Sequence, residues 1–145
     1  MDSNSLNFER YPKVDFYANS FAGGASGYPL MFDNYSLKEK LIIIRKNRLF
    51  EKNKLLNNLD KIKPKYFLPY AGFFEEKLKR DLKIKKYYEK NLIEDYQLFC
   101  DKKKILLLNV VKNNLFTFKG SSLTNSKFDT ISKSKDLTIC EYLNY

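Results

Sequence analysis

The sequence predicts an α/β fold, and three observations carry that prediction. Val14, Phe16 and Ala18 alternate with Asp15, Tyr17 and Asn19, the period of a short strand. Ser36-Leu37-Lys38-Glu39 then reads as the start of a helix. Two compact apolar runs, Lys65-Tyr66-Phe67-Leu68 and Ile105 to Val111, return as strands on either side of a charged, aromatic-bearing stretch. Strand, helix, strand, helix, strand is the order of an α/β arrangement.

Each element has a local reason. In the capping box the Ser36 hydroxyl accepts from the Glu39 amide while the Glu39 carboxylate reaches back. Leu37, Leu41, Ile44, Leu55, Leu59 and Ile62 keep near-helical spacing, with Lys and Asn between them. Pro64 stops this helix at about 25 residues, long for a small domain. Pro69 closes the buried strand at Leu68, and Tyr70-Ala71-Gly72-Phe73-Phe74 forms a small-residue turn with aromatic flanks. Over 75–104, Tyr87, Tyr88, Leu92, Tyr96 and Phe99 predict one amphipathic helix. Lys112-Asn113-Asn114 is expected to turn the strand at Ile105–Val111 back into Leu115–Phe118 as a hairpin. Beyond Gly120 the chain becomes rich in Ser, Thr and Lys, and a poorly ordered tail is expected.

The 145 residues fit one domain that buries roughly two thirds of its unfolded surface. With 43% hydrophobic and 16% aromatic residues the chain is not a disordered one. It contains no His, which excludes a Ser-His-Asp or Cys-His nucleophile and any His-based metal site within these residues. Two cysteines, Cys100 and Cys140, are too few for a zinc cage or an iron–sulfur cluster. The N-terminal residues show no apolar leader core, so a cytoplasmic location with reduced thiols is expected. The longest apolar runs, Leu41–Ile44 and Ile105–Leu108, fall far short of the about 20 residues a membrane span requires. The net charge of +10 is concentrated in residues 36–119 and carried mostly by Lys. Solvated helix faces explain it better than nucleic acid does, because Arg is the usual bidentate phosphate ligand.

Phe21-Ala22-Gly23-Gly24-Ala25-Ser26-Gly27-Tyr28-Pro29 holds three of the five glycines. Small residues after a strand let the backbone approach a ligand and let amides face an anion. The stretch lacks the Gly-Lys-Ser/Thr ending of a phosphate loop, and no helix starts at its third glycine as a dinucleotide fingerprint requires. Spacing alone leaves a ligand loop and a tight connection both open.

Lys13-Val14-Asp15 through Phe21–Pro29, followed by Pro64-Lys65-Tyr66-Phe67-Leu68-Pro69-Tyr70-Ala71-Gly72-Phe73-Phe74, resembles the CMP-N-acetylneuraminic acid hydroxylase family. The resemblance covers roughly residues 10–76 and extends loosely to 123, where Lys119-Gly120 stands for the family's Pro-Gly turn. It implies a monooxygenase that couples a Rieske-type [2Fe–2S] centre and a further metal to a metallo-β-lactamase-like domain acting on a nucleotide sugar of the CMP-sialic acid type. The fold it implies is part of an αββα sandwich, one β-α-β-α-β portion over 1–123, with 124–145 as the tail.

The departures sharpen this reading. A Rieske centre needs two His, and this chain has none. Asp2 is the candidate metal ligand the resemblance leaves, and Ala71-Gly72 stand where related metal hydrolases carry a His after the Pro. The expected substrate-binding residues are Phe21, Ala22, Gly23, Gly24, Ala25, Ser26, Gly27, Tyr70 and Gly72, at the C-terminal ends of strands. The chain then reads as a C-terminal fragment or a split or degenerate member that needs a missing N-terminal half or partner subunit. An accessory protein for an anionic ligand and a basic nucleic-acid-associated protein are the competing readings.

Overall fold

The computed structural model describes residues 13–23, 28–72, 79–110, 114–120 and 122–127. The chain divides into two compact units, residues 1–109 and 110–145. Among the described residues no helix is long and apolar enough to cross a membrane.

The first unit is built on three parallel strands in the order β1-β2-β3: β1 at Phe16–Ser20, β2 at Tyr66–Tyr70 and β3 at Leu106–Leu107. Parallel neighbours need a crossover. Helix α1, Leu37–Ile62, supplies the first, and the short helices α2 at Leu82–Tyr87 and α3 at Gln97–Lys103 lie in the second. The fold class is therefore mixed α/β, as the sequence predicts.

Helix α1 starts and stops on its own local chemistry. The Glu39 amide donates to the Ser36 hydroxyl, and the Ser36 amide donates to the Glu39 carboxylate at 2.8 Å. The Ser36 hydroxyl, which donates to the same carboxylate at 2.7 Å, and then the Ser36 amide hold the Glu39 carboxyl below the usual range. At the other end Lys63 takes the left-handed conformation and its N–H donates to the Leu59 carbonyl, before Pro64 forbids another turn. Register pairs Tyr17 with Phe67 and Phe67 with Leu107, which places these three on one face of the sheet. Tyr17 and Phe67 pack there with Leu55 and Leu59 of α1 and with Tyr96 and Cys100. A second cluster, Leu30, Ile44 and Ile84, sits under the first half of α1.

Pro69 does not end β2, but it limits β3. Tyr66 donates its amide to Asp15 on the β1 side, while Lys65 and Phe67 accept from Leu106 and Leu108 on the other. Backbone groups alternate along a strand, so Pro69 faces the β3 side and has no N–H to offer there. Pairing with β3 accordingly covers only Tyr66 and Phe67. This is why, among the described residues 105–110, the expected strand is reduced to two residues.

The single helix expected over 75–104 is corrected as well. Instead there are a 3-10 turn at Lys79–Asp81, α2, a 3-10 turn at Ile93–Tyr96, and α3. Tyr88 and Leu92 are extended. Between them Asn91 spends its amide on the Ala22 carbonyl at 3.2 Å, a bond that a continuous helix would have kept within itself. The Leu92 amide then donates to the Asp95 carboxylate and starts the next turn.

In the second unit β4, Asn114–Lys119, pairs antiparallel with β5, Ser122–Lys127. The described hairpin thus closes at the Lys119–Ser122 pair beside Gly120, and the turn expected at Lys112-Asn113-Asn114 falls on residues that lie largely outside the described ones. Gly120 has φ 58, the positive value that two-residue hairpin loops require at their first position. Strand β5 runs through 124–127, and the remainder of the expected tail lies outside the described residues.

Candidate functional site

Strands β1 and β2 are parallel neighbours, so the segments that follow them leave the same edge of the sheet. After β1 come Phe21, Ala22 and Gly23; after β2 come Ala71 and Gly72. Gly72 has φ 95, and a Cβ on it would fall 2.2 Å from the Ala22 Cβ. Only glycine permits that approach, so the two small-residue turns touch at this point. Gly24, Ala25, Ser26, Gly27 and the metal candidate Asp2 lie outside the described residues.

The backbone of the first turn is held from the 88–96 segment. Three consecutive carbonyls each accept a bond from it: Phe21 from the Tyr96 hydroxyl at 2.9 Å, Ala22 from the Asn91 amide at 3.2 Å, and Gly23 from the Tyr88 hydroxyl at 3.0 Å. Tyr96 is fully buried, and desolvation raises its hydroxyl far above the ordinary phenol value, so it acts as a permanent donor. Phe21 and Ala22 are themselves buried, while Tyr70 is half exposed at the strand end.

Beside this turn lies a cavity of about 340 Å³. Ala22 and Gly23 form one side. Ile44, Asn47, Arg48 and Glu51 of α1 form another, spaced so that one helix face presents all four. Tyr28, Phe50 and Tyr88 give it aromatic walls, and Glu89 completes the rim. Of the expected substrate-binding residues, Ala22 and Gly23 line this cavity. Phe21 sits in the core, and neither Tyr70 nor Gly72 reaches the lining.

The charges around the cavity are largely paired. Arg48 meets Glu89 at 2.9 Å and Asp95 at 3.7 Å, and Lys52 meets Asp95 at 3.4 Å. Burial disfavours ionisation of Asp95, but the Leu92 amide, Lys52 and Arg48 outweigh it and hold its carboxyl below the usual range. Asn91, 1% exposed, accepts from Arg48 Nε at 3.2 Å and donates to the Arg48 carbonyl at 3.1 Å. None of Asn47, Arg48, Glu51 and Asn91 stands out in the sequence. In a helix studded with Lys and Asn they read as one more solvated face, and only the spacing of 44, 47, 48 and 51 marks a shared side.

The donor set does not fit the metal groups that the resemblance implies. The chain has no His for a Rieske centre. Among the described residues no three of His, Cys, Asp and Glu gather in one place, and Glu89 at the cavity rim and Asp95 behind Arg48 are taken by Arg48 and Lys52. No metal-borne step is therefore assigned to these residues.

Comparison with known proteins supports the resemblance over part of the chain. The inactive cytidine monophosphate-N-acetylneuraminic acid hydroxylase of Homo sapiens is 35% identical over 97 residues, 63% of this chain and 19% of that protein. The cytidine monophosphate-N-acetylneuraminic acid hydroxylases of Danio rerio and Mus musculus are 36% and 35% identical over 98 residues, 63% of this chain and 16% of each relative. The chain thus spans less than a fifth of the length of these curated relatives. No family model matches it, and no solved structure does.

Proposed function

We propose that this chain is a partial relative of the CMP-N-acetylneuraminic acid hydroxylases that contributes a nucleotide-sugar pocket without the redox centre. One observation supports it above the rest: the two small-residue turns on which the resemblance rests touch each other at Ala22 and Gly72, beside a cavity lined by Ala22 and Gly23. Open parallel sheets bind their ligands at this edge. In this reading the β1-α1-β2-β3 unit is one portion of a metallo-β-lactamase-like sandwich. Any hydroxylation would draw its metal ligands from another polypeptide segment, because the His residues of a Rieske centre are lacking here.

Calorimetric titration of the chain with CMP-N-acetylneuraminic acid tests the proposal. Saturable heat is expected, and Phe50→Ala should weaken it several-fold. Phe50 lines the cavity yet is 63% exposed, so this change leaves the fold intact. A wild-type protein that gives no heat would overturn the reading.

A further inference from the structure

Glu51 is the one acidic residue of the cavity without an internal counterpart. Its stem packs against Gly23, with Cγ 3.6 Å from where a Gly23 Cβ would stand. The side chain is half-buried, and among the described residues no hydrogen bond or ion pair engages it. The neighbouring cation Arg48 is committed to Glu89, Asp95 and Asn91. The lining thus offers a carboxylate without a protein partner among the described residues, together with two aromatic side chains: Tyr28, held edge-on by Phe32 at a centroid distance of 5.3 Å, and the exposed Phe50.

This combination disfavours an anion. Glu89 is balanced by Arg48 and Arg45, so Glu51 is the one uncompensated charge of the lining, and a phosphate or a sugar carboxylate would meet its repulsion inside the cavity. The lining favours a flat, uncharged ring that carries an N–H donor on its edge. Aromatic side chains supply faces for stacking, and a carboxylate accepts well from an exocyclic amine.

Building on the nucleotide-sugar reading, we infer that the cavity takes the base end of the ligand, an amino-bearing pyrimidine, with Glu51 as the acceptor that selects it. Cytosine presents its amine to that carboxylate. Uracil presents a carbonyl oxygen in the same place, and two acceptors face each other. The phosphate and the sugar then lie outside the cavity mouth.

The test is an NMR titration of the wild-type chain and of Glu51→Gln with cytidine, uridine and CMP-N-acetylneuraminic acid, with a thermal melt of each protein as the control for folding. Wild type should bind cytidine about tenfold more tightly than uridine. Glu51→Gln should bring the two nucleosides within about twofold of each other, because an amide both donates and accepts. Equal binding of both nucleosides by wild type, or cytidine binding unchanged in Glu51→Gln, would overturn the assignment of Glu51. If CMP-N-acetylneuraminic acid binds but cytidine does not compete with it, the base-end inference falls and the nucleotide-sugar reading stands. If none of the three binds, both fall.

Discussion

Asn91 grips Arg48 at two points: its carboxamide oxygen accepts from the guanidinium Nε at 3.2 Å, and its amide nitrogen donates to the Arg48 carbonyl at 3.1 Å. The same residue gives its backbone N–H to Ala22. One buried residue therefore ties the turn after β1 through its backbone, and the middle of α1 and the orientation of Arg48 toward Glu89 through its side chain. Asn91→Ala removes both side-chain bonds and leaves Arg48 Nε without this partner. A destabilisation of about 1–3 kcal/mol is expected in urea unfolding. A variant as stable as wild type would mean that the bridge contributes nothing net.

Gly72 against Ala22 gives a second prediction, with its own internal control. Gly72→Ala places a Cβ 2.2 Å from the Ala22 Cβ and forces an L-residue to φ 95. Overpacking and the unfavourable backbone angle together should cost about 2–4 kcal/mol. The double change Gly72→Ala with Ala22→Gly removes the clash but not the backbone strain. It should recover part of the loss and no more. Full recovery would assign the whole cost to packing, and no recovery would assign it to φ.

The sequence made legible those features whose causes are local. Helix α1 runs from Leu37 to Ile62 because Ser36, Glu39 and Pro64 are its own signals, and no distant contact is needed to place them. The two small-residue turns were equally readable, since glycine after a strand has few uses. What could not be read depends on bonds across long separations. The charged stretch after residue 78 carries helical spacing, yet Asn91 breaks it for partners 43 and 69 positions away in the chain, Arg48 and Ala22. The brevity of β3 depends on Pro69, whose missing donor matters only once the side facing the third strand is known. The cavity lining from α1 was hidden for the same reason: Asn47 and Glu51 differ from their solvated neighbours only in what they face.

Asp95 links the site to acid stability. Its carboxyl is held below the usual range in the folded chain, despite opposing burial, by the Leu92 amide and by Lys52 and Arg48. The unfolded chain binds a proton near pH 3.9, and the folded chain does so only at lower pH. Stability from this group is therefore complete above about pH 4 and is lost as pH falls through the lower folded value. Asp95→Asn should be less stable than wild type at pH 7, and the gap should close as the pH is lowered below about 4. A gap that stays constant from pH 7 to acid would show that ionisation of Asp95 is not its source.

Cys100 should make itself felt at the alkaline end. It is fully buried against the core of the first unit, and burial, helped by the charge of Asp101, pushes its thiol up to about 11. In the unfolded chain the same thiol ionises near 8.5. Between these values the unfolded chain releases a proton that the folded chain keeps, so stability falls as pH rises from about 8.5 to 11. In a Cys140→Ser background, Cys100→Ala should flatten that alkaline slope while costing some stability at pH 7 through the lost packing. At pH 8 only about one thiol in a thousand is ionised when the pKa is 11. A disulfide reagent added to native Cys140→Ser protein should therefore label almost nothing, and one thiol per chain should react once denaturant is added. Rapid labelling of the native protein would show that Cys100 is reached without unfolding, and the alkaline prediction would lose its basis.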